Sequence, residues 1–157
     1  MKVFITGATG YIGGSLARKL VSTGHEVLGL VRSDDKAAKL KAAGIEPVLG
    51  SLADFAVIQA AARRADASVN TANSDDSFVA KTLIEALAGS DKPLIHTSGS
   101  SVVSDLAAGE YSDAVFNEDW FKEQPHPDQG GGGGGKKSTA TAAASVIKQG
   151  GGHGYAF

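Results

Sequence analysis

Short apolar runs alternate with helical patterns along the first 96 residues of the chain. The runs are rich in β-branched residues and contain few polar positions, which is typical of parallel strands covered on both faces of a sheet. Pro47 lies inside the third run and indicates an irregular or terminal strand, because proline cannot donate to a sheet ladder. The predicted strands cover Lys2–Thr6, Glu26–Val31, Ile45–Leu49, Ala67–Thr71 and Pro93–Thr97.

Four segments with helical periodicity lie between consecutive strands. They begin at Tyr11, at Ser33 or Asp34, after Asp54 and at Ser77. Strands alternating with helices predict an α/β fold with a doubly wound parallel sheet, which is a Rossmann fold. Core-facing positions are predicted at Ile12, Leu16 and Leu20 in the first helix, Ala37 and Leu40 in the second, Phe55, Ile58 and Ala62 in the third, and Val79, Leu83, Ala86 and Leu87 in the fourth.

The C-terminal part of the chain departs from this pattern. Ten of the 21 glycines in the whole chain lie in the last 28 residues, including the run Gly130–Gly135, which is typical of low complexity. This composition fits a flexible tail, an engineered linker, or a stretch in which small residues replace residues of unknown identity. We therefore expect a folded domain over residues 1–125 and a low-complexity segment over 126–157, with the fold truncated or incompletely recorded at its C-terminus.

Charge and composition exclude several function classes. The chain has a net charge of −2 and a pI near 6.0, so it does not have the positive surface potential that nucleic-acid binding needs. No apolar run is long enough to span a membrane. The absence of cysteine excludes disulfides and thiolate metal sites, and the four histidines show no ligand spacing, so no metal site is expected. A cytoplasmic protein is the resulting expectation.

The segment Thr6–Gly13 follows the first predicted strand and opens the first predicted helix in the pattern G-x-x-G-x-x-G. Gly7 would permit the tight turn off the strand, Gly10 would let the backbone approach a pyrophosphate, and Gly13 would let the helix pack closely on the sheet. The helix N-terminus would then present free amides to phosphate. A tight turn without a ligand is the alternative.

Arg32 lies nineteen residues beyond Gly13, at the end of the second predicted strand. Dinucleotide folds place an acidic residue near this position to bind a ribose 2′-hydroxyl, or an arginine to bind a 2′-phosphate. Asp34 and Asp35 follow but are better explained as helix-capping residues. The sequence therefore favours NADP over NAD, with a solvated Arg32 at the helix entry as the alternative.

Residues 1–125 resemble the extended or atypical branch of the short-chain dehydrogenase/reductase family, of the NAD(P)-dependent epimerase/dehydratase type. The segments that carry the resemblance are 6–13, 50–54, 71–73 and 96–102. The resemblance implies hydride transfer between a nicotinamide and a small carbonyl or alcohol substrate, of which sugar nucleotides are one class. It also implies a substrate site over residues 98–121, and it leaves a homodimer open.

The resemblance implies a set of cofactor contacts. Ser51 stands where the family usually has an aspartate that holds the adenine, so a backbone contact through Leu52 is expected instead. Ala72 belongs to the small residues that line the nicotinamide ribose in the family. The expected cofactor-binding residues are Gly7, Thr9, Gly10, Tyr11, Ile12, Gly13, Arg32, Leu52, Ala72 and Ser98.

The catalytic residues that the family uses are not found at their usual spacing. A serine, a tyrosine and a lysine four residues later normally carry the chemistry, but Gly99 stands in the place of the serine and no Tyr-x-x-x-Lys occurs. Ser98, Ser100 and Ser101 are the nearby serines that could substitute for it, and Ser98 and Ser100 are the candidates. A non-catalytic NAD(P)-binding sensor is therefore the alternative to an oxidoreductase or epimerase.

Overall fold

The computed structural model describes residues 1–74, 76–99 and 113, together with the backbone of one strand over 142–147. Over residues 1–99, strands and helices alternate as the sequence predicts. The elements in chain order are β1 (Lys2–Thr6), α1 (Tyr11–Ser22), β2 (Glu26–Val31), α2 (Asp34–Ala42), β3 (Glu46–Leu49), α3 (Phe55–Arg64), β4 (Ala67–Asn70), α4 (Ser77–Leu87), β5 (Leu94–Gly99) and β6 (Ala142–Ile147).

The strands form one sheet in the order β3-β2-β1-β4-β5-β6. The pairs β1–β2, β2–β3, β1–β4 and β4–β5 are all parallel. The chain moves outward from β1 through β2 to β3 and then crosses to β4 on the other side of β1. This confirms the predicted doubly wound sheet, and it places the topological switch point at the carboxyl ends of β1 and β4, where ligands bind in open α/β sheets.

Two apolar layers cover the two faces of the sheet, because consecutive strand residues point to opposite sides. Phe4 of β1 packs with residues of α3 and α4 in one buried cluster. Val3 and Ile5 of the same strand pack with residues of α1 and α2 in the other. The largely apolar sequences of β1 and β2 follow from this burial on both sides.

Several local predictions can be compared directly with the fold. Pro47 lies in β3, which is an edge strand, as the proline indicates. The prediction that Ile12 and Phe55 face the core is wrong, since they are 43% and 44% exposed. Both residues lie in the first turn of a helix at the carboxyl edge of the sheet, and Phe55 stacks there on Phe78 with the ring centroids 6.4 Å apart.

The chain divides into two compact units, Met1–Ser98 with Ala144–Phe157, and Gly99–Ala143. The predicted domain boundary between residues 125 and 126 lies outside the described residues. Within the described part of the chain, no helix combines the length and the hydropathy that a membrane span requires.

The hydroxyl of Ser68 is buried in β4 and has no hydrogen-bond partner among the residues that the structure describes. Its strand neighbours in register are Phe4 and Leu94, both fully or almost fully buried. We expect Ser68→Ala to raise the free energy of unfolding by about 1 kcal/mol, because it removes a buried polar group that has no partner. Urea unfolding measures this change, with Ser15→Ala on the exposed side of α1 as the control. A loss of stability in Ser68→Ala would contradict the expectation.

Candidate functional site

The turn between β1 and α1 sits directly against the loop that follows β4. Gly7 has φ +76°, a left-handed conformation that side chains other than glycine rarely adopt. A Cβ atom on Gly7 would lie 2.9 Å from the backbone of Thr71 and Ala72. The position therefore requires glycine for two reasons, conformation and space, and the turn forms part of the switch point.

Gly13 and Gly10 differ in what the fold demands of them. A Cβ atom on Gly13 would overlap the carbonyl oxygen of Gly7 and the hydroxyl of Thr71, so this glycine lets α1 pack against the turn. Gly10 has an ordinary φ of −80°, and its nearest neighbour, the Gly7 oxygen, would be 3.2 Å from an added Cβ. Gly10 is exposed, and the fold constrains it far less than the other two glycines.

The first turn of α1 presents its backbone N–H groups at this edge. Gly10 donates to the Gly7 carbonyl at 2.8 Å, and Gly14 donates to the Gly10 carbonyl at 2.9 Å. Among the described residues, none accepts a hydrogen bond from the N–H groups of Tyr11, Ile12 or Gly13. Free N–H groups and the positive end of the helix dipole make such a terminus favourable for an anion.

Cationic side chains flank the turn on the side of β2. Arg32 is exposed directly after the last residue of that strand. A groove of about 200 Å³ between α1 and α2 begins at Thr9 in the glycine turn and is lined by Arg18 and Lys39. Asp34 and Asp35 lie in the first turn of α2, as predicted.

The loop after β3 is closed by its own hydrogen bonds. The Asp54 carboxylate accepts from the backbone N–H of Ser51 at 2.5 Å, and the Ser51 hydroxyl accepts from the N–H of Ala53 at 3.2 Å. The N–H of Ser51, followed by its hydroxyl, holds the pKa of Asp54 below its usual value. Leu52 packs partly buried against the core, so the side chain of this residue supports the loop.

A row of polar side chains crosses the switch point beneath these loops. Thr6, Asn70 and His96 occupy paired positions on β1, β4 and β5. The Thr6 hydroxyl donates to the Asn70 side-chain oxygen at 2.5 Å, and Asn70 Nδ2 lies 3.0 Å from His96 Nδ1. The sequence analysis missed this row. Thr6 and Asn70 end their strands and His96 lies inside β5, and only the strand order and register bring the three residues together.

The predicted cofactor-binding residues lie at or next to the carboxyl edge of the sheet, on the turn after β1, the ends of β2 and β5, and the loops after β3 and β4. Tyr11 is 93% exposed, Ala72 is exposed, and Ser98 is half-buried in β5. Ser100 lies outside the described residues. The part of the chain that the structure describes contains no group of three or more potential metal ligands.

A parallel sheet with a glycine turn at its switch point is the architecture of a dinucleotide-binding domain. The model of an NAD(P)H-binding family matches residues 7–125 of the chain. The chain therefore belongs to this NAD(P)H-binding family, whose members include proteins of the reductase and epimerase type. This agrees with the resemblance to extended short-chain dehydrogenases/reductases.

Individual relatives match only part of their own length. An uncharacterized protein of Schizosaccharomyces pombe is 39% identical over 115 residues, which is 66% of this chain and 39% of that protein. An oxidase of Acremonium sp. is 39% identical over 130 residues, which is 74% of this chain and 37% of the oxidase. The chain thus spans about two fifths of the length of these relatives. A Lactobacillus casei protein of known structure has the same fold, with a TM-score of 0.50 and 26% identity over 60% of this chain and 46% of that one.

Proposed function

We propose that the chain is the NADP(H)-binding domain of an oxidoreductase or an epimerase/dehydratase-like protein. The observation that carries the proposal is Gly10, which is exposed and which the fold constrains least, between two glycines that the fold does require. A glycine at this position fits a need for close backbone approach by a pyrophosphate. The free N–H groups of the first turn of α1 support the same assignment.

The residues present fit a dinucleotide. Gly10, directly before α1, has no Cβ, and the exposed side chains near the turn are aromatic at Tyr11, aliphatic at Ile12 and cationic at Arg32. Arg32 presents a fork of donors suited to a 2′-phosphate, which favours NADP over NAD. The proposed contacts are Gly7, Thr9, Gly10, Tyr11, Ile12, Gly13, Arg32, Leu52, Ala72 and Ser98.

The bound nicotinamide would supply hydride transfer to or from a small carbonyl or alcohol substrate. In this proposal the residues of the chain bind the pyrophosphate at the N-terminus of α1 and hold the adenosine half near Arg32 and Leu52. The loop after β4 borders the nicotinamide half. Ser98, half-buried in β5, is the proposed group that orients the substrate oxygen. The name of the Acremonium relative, an oxidase, supports redox chemistry for the whole protein.

Titration with NADPH and with NADH, followed by nicotinamide fluorescence, tests the proposal. We expect saturable binding of both, with NADPH the tighter ligand. Binding of neither would overturn the proposal. A panel of carbonyl compounds, monitored by NADPH oxidation, then separates an oxidoreductase from the sensor alternative, which binds the dinucleotide without turnover.

A further inference from the structure

The loop that follows β4 is anchored at several points. The Thr71 hydroxyl and N–H donate to the Thr6 carbonyl at 2.7 and 3.2 Å. The N–H of Ala72 lies 3.3 Å from the side-chain oxygen of Asn70, and the Ser74 carbonyl lies 3.3 Å from His96 Nε2. Asn70 is 1% exposed, and its side chain bonds to Ala72, to the Thr6 hydroxyl and to His96.

The hydrogen bonds of Asn70 fix the proton position on His96. A backbone N–H can only donate, so the atom of Asn70 that faces Ala72 must be its carbonyl oxygen, which also accepts from Thr6. The amide nitrogen of Asn70 then faces His96 Nδ1 and must donate to it. His96 Nδ1 is thereby an acceptor, and the ring proton lies on Nε2, where it donates to the Ser74 carbonyl.

The anchored loop also forms one wall of the glycine turn. The backbone of Ala72 and Thr71 approaches Gly7 so closely that no Cβ fits between them. A change at Asn70 or His96 would therefore reach the turn through the loop and not through direct contact with a ligand. The effect would fall on the β4 side of the switch point, away from Arg32 on the β2 side.

We propose that Asn70 is a positioning residue, which sets the Nε2–H form of His96 and so holds the loop over residues 71–74 in place for the nicotinamide half of the dinucleotide. This inference rests on the proposed function for its ligand but not for its hydrogen-bond geometry. A buried amide whose oxygen accepts from Thr6 and Ala72 and whose nitrogen donates to His96 suits such a role, since a carboxylate in its place keeps the acceptor and loses the donor.

Asn70→Asp tests the proposal because it keeps the shape of the side chain and the oxygen that faces Ala72, but replaces the donor that faces His96 with an acceptor. In the wild-type protein, long-range proton–nitrogen NMR should show His96 with its proton on Nε2. In Asn70→Asp, the ring should carry a proton on Nδ1. The variant should bind NADPH about tenfold more weakly, the effect of one lost hydrogen bond.

The adenosine fragment 2′,5′-ADP separates positioning from general damage. Asn70→Asp should bind this fragment as tightly as the wild-type protein does, whereas a damaged fold would weaken both ligands. Gln59→Glu in α3 makes the same amide-to-carboxylate change away from the site, and should leave the affinities for both ligands unchanged. If Asn70→Asp does not fold, His96→Phe, which removes both ring nitrogens, supplies the same comparison of ligands.

The proposal would be overturned by a wild-type His96 with its proton on Nδ1, by an unchanged ring in Asn70→Asp, or by equal losses of NADPH and 2′,5′-ADP affinity. If the proton position on His96 changes in Asn70→Asp while the affinity for NADPH stays the same, the positioning role is also overturned. If the wild-type protein binds neither nucleotide, the proposed function fails, and the NMR result still decides the hydrogen-bond assignment.

Discussion

Gly13→Ala is expected to lower the free energy of unfolding by about 3 kcal/mol and to weaken NADPH binding by more than about tenfold. The new methyl group would overlap the carbonyl oxygen of Gly7 and the hydroxyl of Thr71. The Gly7 carbonyl cannot retreat without opening the turn, because it accepts the hydrogen bond from Gly10. Relief of the overlap must therefore move α1 away from the turn. Urea unfolding and fluorescence titration measure the two effects.

Gly24→Ala is the matched control for this prediction. Gly24 has φ +84°, and no atom of the described residues lies within 4 Å of an added Cβ, so its replacement introduces backbone strain without overlap there. We expect a loss of about 1 kcal/mol in stability and no change in NADPH affinity. If Gly13→Ala and Gly24→Ala have the same free energy of unfolding and the same affinity for NADPH, then α1 does not need the close approach to the glycine turn that we describe.

Arg32→Glu is expected to weaken NADPH binding by about 100-fold while changing NADH affinity by less than about twofold. The substitution replaces a cationic fork of donors with a carboxylate that repels a 2′-phosphate, and NADH has no phosphate at that position. Comparison of the two dissociation constants at one salt concentration measures the preference, because exposed charges are screened by salt.

Two lysines of α2 provide graded controls for this second prediction. Lys41→Glu makes a similar change of charge at an exposed position outside the groove between α1 and α2, and should change NADPH affinity by less than about threefold. Lys39 lines that groove, so the loss of NADPH affinity in Lys39→Glu should be larger than in Lys41→Glu and smaller than in Arg32→Glu. Equal losses of NADPH and NADH affinity in Arg32→Glu would contradict a phosphate contact.

The first half of the fold was predictable because its signals are local. β1 and β2 have the predicted bounds, since each is an apolar run that polar or glycine residues end on both sides. Gly7 and Gly13 could be assigned for a similar reason, as the motif lies within eight residues between a strand and a helix. The edge position of β3 was indicated by a single residue, Pro47.

The features that escaped prediction depend on where elements meet. Helical periodicity identifies the inner face of α1 and α3, but not where along each helix the sheet ends, so the exposure of Ile12 and Phe55 was missed. The row formed by Thr6, Asn70 and His96 depends on strand order and register, which no local pattern states. The catalytic group is still a proposal, because Ser100 and the residues that follow it lie largely outside the described part of the chain.

The central position of β1 has a consequence for the order of folding. β1, β2 and β3 are neighbours both in the chain and in the sheet, so they can assemble as each emerges during synthesis. Asn70 must instead reach back across 64 residues to Thr6. Closing this longer loop costs more chain entropy, which delays contacts of this kind. We therefore expect the nascent chain to complete its glycine turn before the opposing wall docks, so that competence to bind a dinucleotide arises late in folding.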